Sequence, residues 1–445
     1  MTVARTCRTR RRLVGSVLAL LVAACGSPTP SIPVVESPTP EPSAVAPTNE
    51  PSPVAPSAAP SPALAAAFTT PVPPGADAAW TAIHWRKLAS GDPLTLVRSI
   101  LRWRGGFIAV GWGASSTPVW TSTDGARWEP LPFNTATTFW PGLLVVGAAE
   151  VRGGLVALMM SAGPNDCGGG LACQTFNPPL MAWTSPDGWT WTPHGSPDLG
   201  PDLGLPAPWW GIPFLAAGPA GLVAAPFGPV AHASTSVDGI LWRAVPAAAL
   251  PIGLVIRGLV GTATGFTAVG YLPVDPDHFR AVALRSVDGV RWTGPFPLHL
   301  VSASGVIRAG TASSWAANGL VAARDGLIAV GTVMATPGAS LWWQSPNGRA
   351  WRPLLNWPPL GPTRCQGEGC GMQPNGTLVG DGHRMVALRG GSDAGLWTSS
   401  DGLTWRRLPV TGDLPGERAT QAVLLPGGVL LSDRTNIWFG EAITK

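Results

Sequence analysis

The chain has 445 residues, 45% hydrophobic and 12% charged, with 22 Trp against a single Tyr. That much apolar material excludes disorder for most of it, and the length allows either two or three ordinary domains or one repeat unit. The formal charge of +4 includes Arg5, Arg8, Arg10, Arg11 and Arg12 in a segment expected to be removed, which leaves the remainder at −1 and without a basic footprint for nucleic acid.

Residues 1–24 read as a secretory signal: an arginine-rich start, an apolar stretch from Leu13 to Val22, then small residues before Cys25. The apolar stretch is too short for a permanent membrane span. Val22-Ala23-Ala24-Cys25, followed by Gly26 and Ser27, resembles the lipobox of bacterial lipoproteins. The resemblance implies cleavage before Cys25, a diacylglycerol on its sulfur, and a place on the outer face of the bacterial cytoplasmic membrane. Arg10-Arg11 is an incomplete twin-arginine pattern, so Sec and Tat export both stay open. Residues 25–75 then form a stalk, almost wholly Pro, Ser, Ala, Thr and Val from Ser27 to Pro74. With so few large side chains it cannot offset its folding entropy, and its prolines favour extended polyproline II. At roughly 3.1 Å per residue such a spacer reaches on the order of 150 Å.

Residues 76–445 repeat one pattern. The kernel S-x-[DN]-G-x-x-W closes at Trp128, Trp191, Trp242, Trp292, Trp351 and Trp405. Its polar positions are Asp124, Asp187, Asp238, Asp288, Asn347 and Asp401, spaced 63, 51, 50, 59 and 54 residues apart. A period near 50 with strand patterning indicates a propeller. Asp-Gly or Asn-Gly at a two-residue tip would supply the positive φ angles of a type I′ hairpin, so each copy reads as strand, tight turn, strand. Before each hairpin stands a Gly turn followed by an apolar strand, as in RGGFIAVG from Arg104 and DGLIAVG from Asp325, itself preceded by another apolar strand. Each repeat thus supplies four antiparallel strands, A to D, which make one blade.

The chain ends with material for strands A to C but no further Asp-Gly hairpin. Just after the stalk, IHWRKL places Trp85 as the closing Trp stands in the strand D copies. The expected fold is therefore all-β: a seven-bladed β-propeller of four-stranded antiparallel blades, the last closed by the N-terminal strand, which removes open edges.

The repeated kernel resembles the Asp-box, or BNR, repeat of sialidase-like propellers, whose usual form S-x-D-x-G-x-T-W is one residue longer in the turn. The resemblance spans roughly residues 80 to 440 as an architecture. Sialidase chemistry would require three arginines, a tyrosine nucleophile activated by a glutamate, and an aspartate acid/base. The lone Tyr271 stands at the end of an expected strand B, and the Arg-Ile-Pro motif of that family is absent. The catalytic set is not recognisable, and Tyr271 reads as a structural aromatic.

Other chemistry is sparse. The six His residues are scattered without HExxH or paired ligands, so no transition metal and no cofactor are expected. Asp275-Pro276-Asp277-His278 offers oxygen ligands for calcium but reads as a solvated turn. Cys167 with Cys173, and Cys365 with Cys370, read as two small-loop disulfides of an exported protein. By strand order these loops lie on the face opposite the Asp-Gly hairpins, with the insertions carrying Trp209, Trp210 and Trp315. Stiffened aromatic loops on a rigid scaffold are where binding is expected. The favoured function is a monomeric, membrane-anchored, non-catalytic binding or assembly module for a glycan or envelope protein. The alternative is a sialidase-like or other glycoside hydrolase.

Overall fold

The computed structural model describes residues 79–87, 96–112, 119–123, 127–130, 143–161, 180–195, 197, 211–229, 232–275, 278–302, 305–307, 315–333, 340–354, 376–380, 384–389, 395–412, 421–425, 427–432 and 437–444. They form seven four-stranded antiparallel blades in a ring, a β-propeller, and the described residues include a single short helical turn, Ala247–Ala249.

Strands A to D run in chain order within a blade. Blade 1 is Leu96–Trp103, Gly106–Trp112, Val119–Ser122 and Glu129–Pro130. Blade 2 is Leu143–Val151, Gly154–Ser161, Leu180–Ser185 and Thr192–Pro193. Blade 3 is Gly211–Gly218, Gly221–Pro229, Ser234–Ser236 and Trp242–Ala244. Blade 4 is Val255–Thr262, Gly265–Asp275, His278–Ser286 and Trp292–Pro297. Blade 5 is Trp315–Ala323, Gly326–Val333, Ser340–Ser345 and Arg352–Pro353. Blade 6 is Gly376–Gly380, Met385–Arg389, Gly395–Ser399 and Arg406–Leu408.

Blade 7 takes Gln421–Leu425, Gly428–Ser432 and Ile437–Thr444 from the C-terminal end and Trp80–Lys87 as its strand D. The expected closure is thus present, and its register is informative. In blade 3 strand B pairs Leu222 with Ser236, and Ser236 pairs Trp242. In blade 7 Val429 pairs Gly440, and Gly440 pairs Trp85. Trp85 therefore holds the place of the kernel Trp, without a hairpin to bring it there.

The ring closes through its inner strands and through hydrophobic clusters lying between blades. Each strand A touches strand A of both neighbouring blades, and that of blade 7 touches that of blade 1. Trp103, Ile108 and Val110 pack on Leu155, Ala157 and Trp191 between blades 1 and 2. Ile100 and Trp120 pack on Leu430 and Ile437 between blades 1 and 7. Strand B is covered from both sides, which is why it reads as a continuous apolar run: Leu155 to Met159 are all buried.

Strand B begins with glycine for a steric reason. Gly221, Gly265 and Gly326 have φ of +121°, +122° and +136°, and a Cβ on any of them would strike the carbonyl oxygen of the kernel serine across the sheet, Ser236, Ser286 or Ser345. Both the backbone conformation and the close approach exclude a side chain.

The kernel turn departs from the type I′ expectation. Ser236 pairs with Trp242 and Ser286 with Trp292, so five residues form the loop in these blades. Only the glycine is left-handed, at +84°, +82°, +78°, +74° and +73° for Gly188, Gly239, Gly289, Gly348 and Gly402. Type I′ needs positive φ at both central residues; here the Asp keeps ordinary backbone geometry and holds the loop with its side chain instead.

Candidate functional site

Alternation of antiparallel strands divides the loops between two faces. A-to-B turns and C-to-D hairpins leave one face, and B-to-C and D-to-A connections leave the other.

On the hairpin face the kernel is a closed hydrogen-bond unit. In blade 4 the Ser286 hydroxyl accepts from the Gly289 N–H at 2.7 Å and donates to Asp288 Oδ1 at 3.1 Å. Asp288 Oδ1 accepts the N–H groups of Val290 and Arg291 at 2.9 and 2.8 Å. The Trp292 indole N–H donates to the Gly289 carbonyl at 2.9 Å. The same bonds recur around Asp187, Asp238, Asn347 and Asp401. Asp288 is held below the ordinary carboxylate range, first by the Arg291 N–H. For Asp187, Asp238 and Asp401 burial raises the pKa, but hydrogen bonds from backbone N–H groups and from side chains, the kernel serine among them, together leave a net lowering. These carboxylates are occupied by their own loops. Asp124 lies outside the described residues.

Each hairpin glycine also meets the blade before it. A Cβ on Gly188 would lie 2.5 Å from Ile108, on Gly289 2.7 Å from Val223, on Gly348 2.9 Å from Thr267 and on Gly402 2.8 Å from Ile328. On Gly239 it would overlap Val156. All five neighbours are the third residue of the preceding strand B. Polar bonds reinforce the contact: the Trp103 indole N–H donates to Asp187 O at 3.1 Å, and Gln344 Nε2 to Asp401 O at 3.3 Å. Sequence reasoning found the kernel as a turn and missed its role as the latch between blades. A cleft of about 480 Å³ opens beside one such latch, lined by Asp325, Gln344, Trp351, Arg352, Asp401 and Leu403.

Toward the opposite face, blade 4 carries Tyr271 within strand B, which runs on past it to Asp275 rather than ending there. Its ring meets Phe279 edge-on at 5.0 Å between centroids. The Arg257 guanidinium lies 5.7 Å from the ring centre, with Nη2 3.5 Å from the phenol oxygen. Arg257 is the extra residue of a β-bulge in strand A, between Ile256 and Gly258. At the loop beyond, His278 Nδ1 bonds Asp275 at 2.7 and 2.8 Å. Among the described residues there is no group of three or more His, Cys, Asp or Glu arranged for a metal ion. Asp277 of the weighed calcium loop lies outside them.

Trp315 does not stand where an exposed aromatic would. It is 3% exposed, belongs to the core between blades 4 and 5, and its indole N–H donates to Leu298 O at 2.8 Å. The D-to-A segment supplies a carbonyl for that donor, so the ring buries without leaving a polar atom unpaired. Trp209 and Trp210, Cys25, and the pairs Cys167–Cys173 and Cys365–Cys370 lie outside the described residues.

No family model matches the chain, and no curated protein matches it. Solved structures do. One described as YCF48 bound to D1 peptide is similar at 14% identity and TM-score 0.44, over 82% of this chain and 96% of that one. The Pan2 WD40 domain of Neurospora crassa is similar at 9% identity and TM-score 0.45, again over 82% and 96%. A structure described as a putative glycoside hydrolase from Parabacteroides distasonis is similar at 15% identity and TM-score 0.27, over 59% and 94%.

Proposed function

We propose that this chain is an extracytoplasmic lipoprotein, anchored through Cys25, whose propeller acts as a non-catalytic binding or assembly module for a glycan or an envelope protein. The observation that carries the reading is the surroundings of Tyr271. The lone tyrosine of the chain meets a guanidinium and a phenyl ring, whereas a nucleophilic phenol requires a base to take its proton. The kernel carboxylates, bonded to their own loops, support a structural use as well. The binding surface of this reading is the face of B-to-C and D-to-A loops, stiffened by disulfides at Cys167–Cys173 and Cys365–Cys370 and presenting Trp209 and Trp210.

The test has two arms. Wild-type protein labels with palmitate and partitions into detergent while Cys25→Ser does not; equal labelling removes the anchor. The Cys25→Ser chain retains an envelope glycan or protein, and Trp209→Ala/Trp210→Ala loses it; turnover of a glycoside by the same preparation favours the hydrolase reading instead.

A further inference from the structure

The hairpin face is where the described residues concentrate exposed apolar side chains. Trp189, Val237, Ile240, Leu241, Val287, Val290 and Leu403 all occupy kernel loops, with Leu241 72% exposed. Ile443, next to the last residue of strand C of blade 7, is exposed at the same face. Among the large exposed apolar residues described, only Ile252 and Val274 belong to the other face. Most of the hairpin set lies on blades 2, 3 and 4, which are consecutive. Exposed Arg291 and Arg349 stand at neighbouring kernel positions in the loops of blades 4 and 5, the second and the first residue after the kernel Gly.

The same face receives the chain. Strand C of blade 7 ends at Thr444 on the hairpin side, and Trp80 pairs with Thr444 antiparallel, so strand D starts there. The preceding 78 residues therefore join the propeller at this face.

We infer that the hairpin face docks on an anionic phospholipid surface, with Trp189, Ile240 and Leu241 entering the headgroup boundary and Arg291 and Arg349 meeting lipid phosphates. The choice of a bilayer rests on reading Cys25 as a lipid anchor. The form of the patch agrees with it: apolar tips on separate hairpins, one blade apart, suit a fluid that fills the spaces between them. Apolar insertion combined with cationic contact is the pairing that makes interfacial binding stable.

The experiment uses the full chain with Cys25→Ser, floated with vesicles of phosphatidylglycerol and phosphatidylcholine or of phosphatidylcholine alone. Binding to the anionic vesicles is expected, weaker on phosphatidylcholine. Trp189→Ala/Ile240→Asp/Leu241→Asp should lower partitioning about tenfold, Arg291→Glu/Arg349→Glu should remove the preference for anionic lipid, and Ile252→Asp on the opposite face should change nothing. Thermal melting confirms that each variant folds. Absence of flotation by the parent chain, or equal flotation by the triple variant, overturns the inference. A dimer in solution that the triple variant dissolves also overturns it, by giving the face to a second copy. Palmitate labelling reports separately on Cys25, so loss of labelling with flotation retained defeats only the anchor.

Discussion

Gly239 lies against Val156, the third residue of strand B in the blade before it, and has no room for a Cβ. The kernel is therefore two devices in one: its Ser, Asp and Trp close a loop within a blade, and its Gly seats that loop on the neighbour. Gly239→Ala meets both a left-handed φ of +82° and the isopropyl group. We expect a loss of about 2–4 kcal/mol of stability, from backbone strain and overpacking together. Gly195→Ala, where nothing lies within 4 Å of an added Cβ, serves as the control and should be neutral. Denaturant unfolding of Gly239→Ala with and without Val156→Ala checks the contact, since trimming the valine should recover part of the loss.

The kernel carboxylates make an acid-sensitive set. The pKa values of Asp187, Asp238, Asp288 and Asp401 are lowered on folding. A lowered folded value contributes stability that is present above the ordinary Asp range and lost as pH falls through the folded value, hence below about pH 4. Asn347 makes the same loop without a titrating group. Asp238→Asn/Asp288→Asn/Asp401→Asn should therefore keep the fold and lose less stability than wild type between pH 7 and pH 3. An unchanged difference would refute the assignment. Asp288→Ala should cost about 1 kcal/mol at pH 7, as for a lost cap.

Closure by the first strand is tested by truncation. Trp80, Ile83 and Trp85 are at most 1% exposed and pack with Leu424, Val429 and Leu431. Trp80 is further held under the Arg384 guanidinium, 4.1 Å from its ring centre, and its carbonyl accepts from Arg406. Trp85→Ala should cost about 3–5 kcal/mol. Deleting residues 79–90 should lower the melting temperature far more than deleting 27–74.

Trp315→Phe removes the donor to Leu298 O and little volume. It should cost about 1 kcal/mol with ligand capture unchanged. Reduced capture by a normally melting Trp315→Phe protein would return the residue to the proposed binding surface.

What could be read in advance follows from how local each cause is. Trp85 is legible as a strand D residue because IHWRKL matches Thr404-Trp405-Arg406-Arg407-Leu408 around the kernel Trp405, and the register bears this out at Gly440. The turn type is not legible from Asp-Gly alone, because Asp-Gly also suits a five-residue loop when a serine two positions earlier can bond both the Asp carboxylate and the Gly N–H. Ile108 and Gly188 stand far apart in sequence, so nothing near the kernel announces that its glycine faces another blade. Trp315 shows the limit for aromatics: a Trp beside a long insertion reads as exposed until a carbonyl such as Leu298 O is found for its N–H.

The hydrogen bond that the Thr81 hydroxyl donates to Ile443 O spans 362 positions. In a chain emerging from its N-terminus, strand D of blade 7 precedes the other described strands, and both its parallel partner Val410–Gly412 and its antiparallel partner, strand C of that blade, arrive late. During synthesis this early strand thus waits for partners that lie far along the chain. The six internal blades can assemble in turn, but the ring has no route to closure until the last residues of that final strand are free, so premature release leaves an open edge at Ile437–Thr444 for another chain to claim.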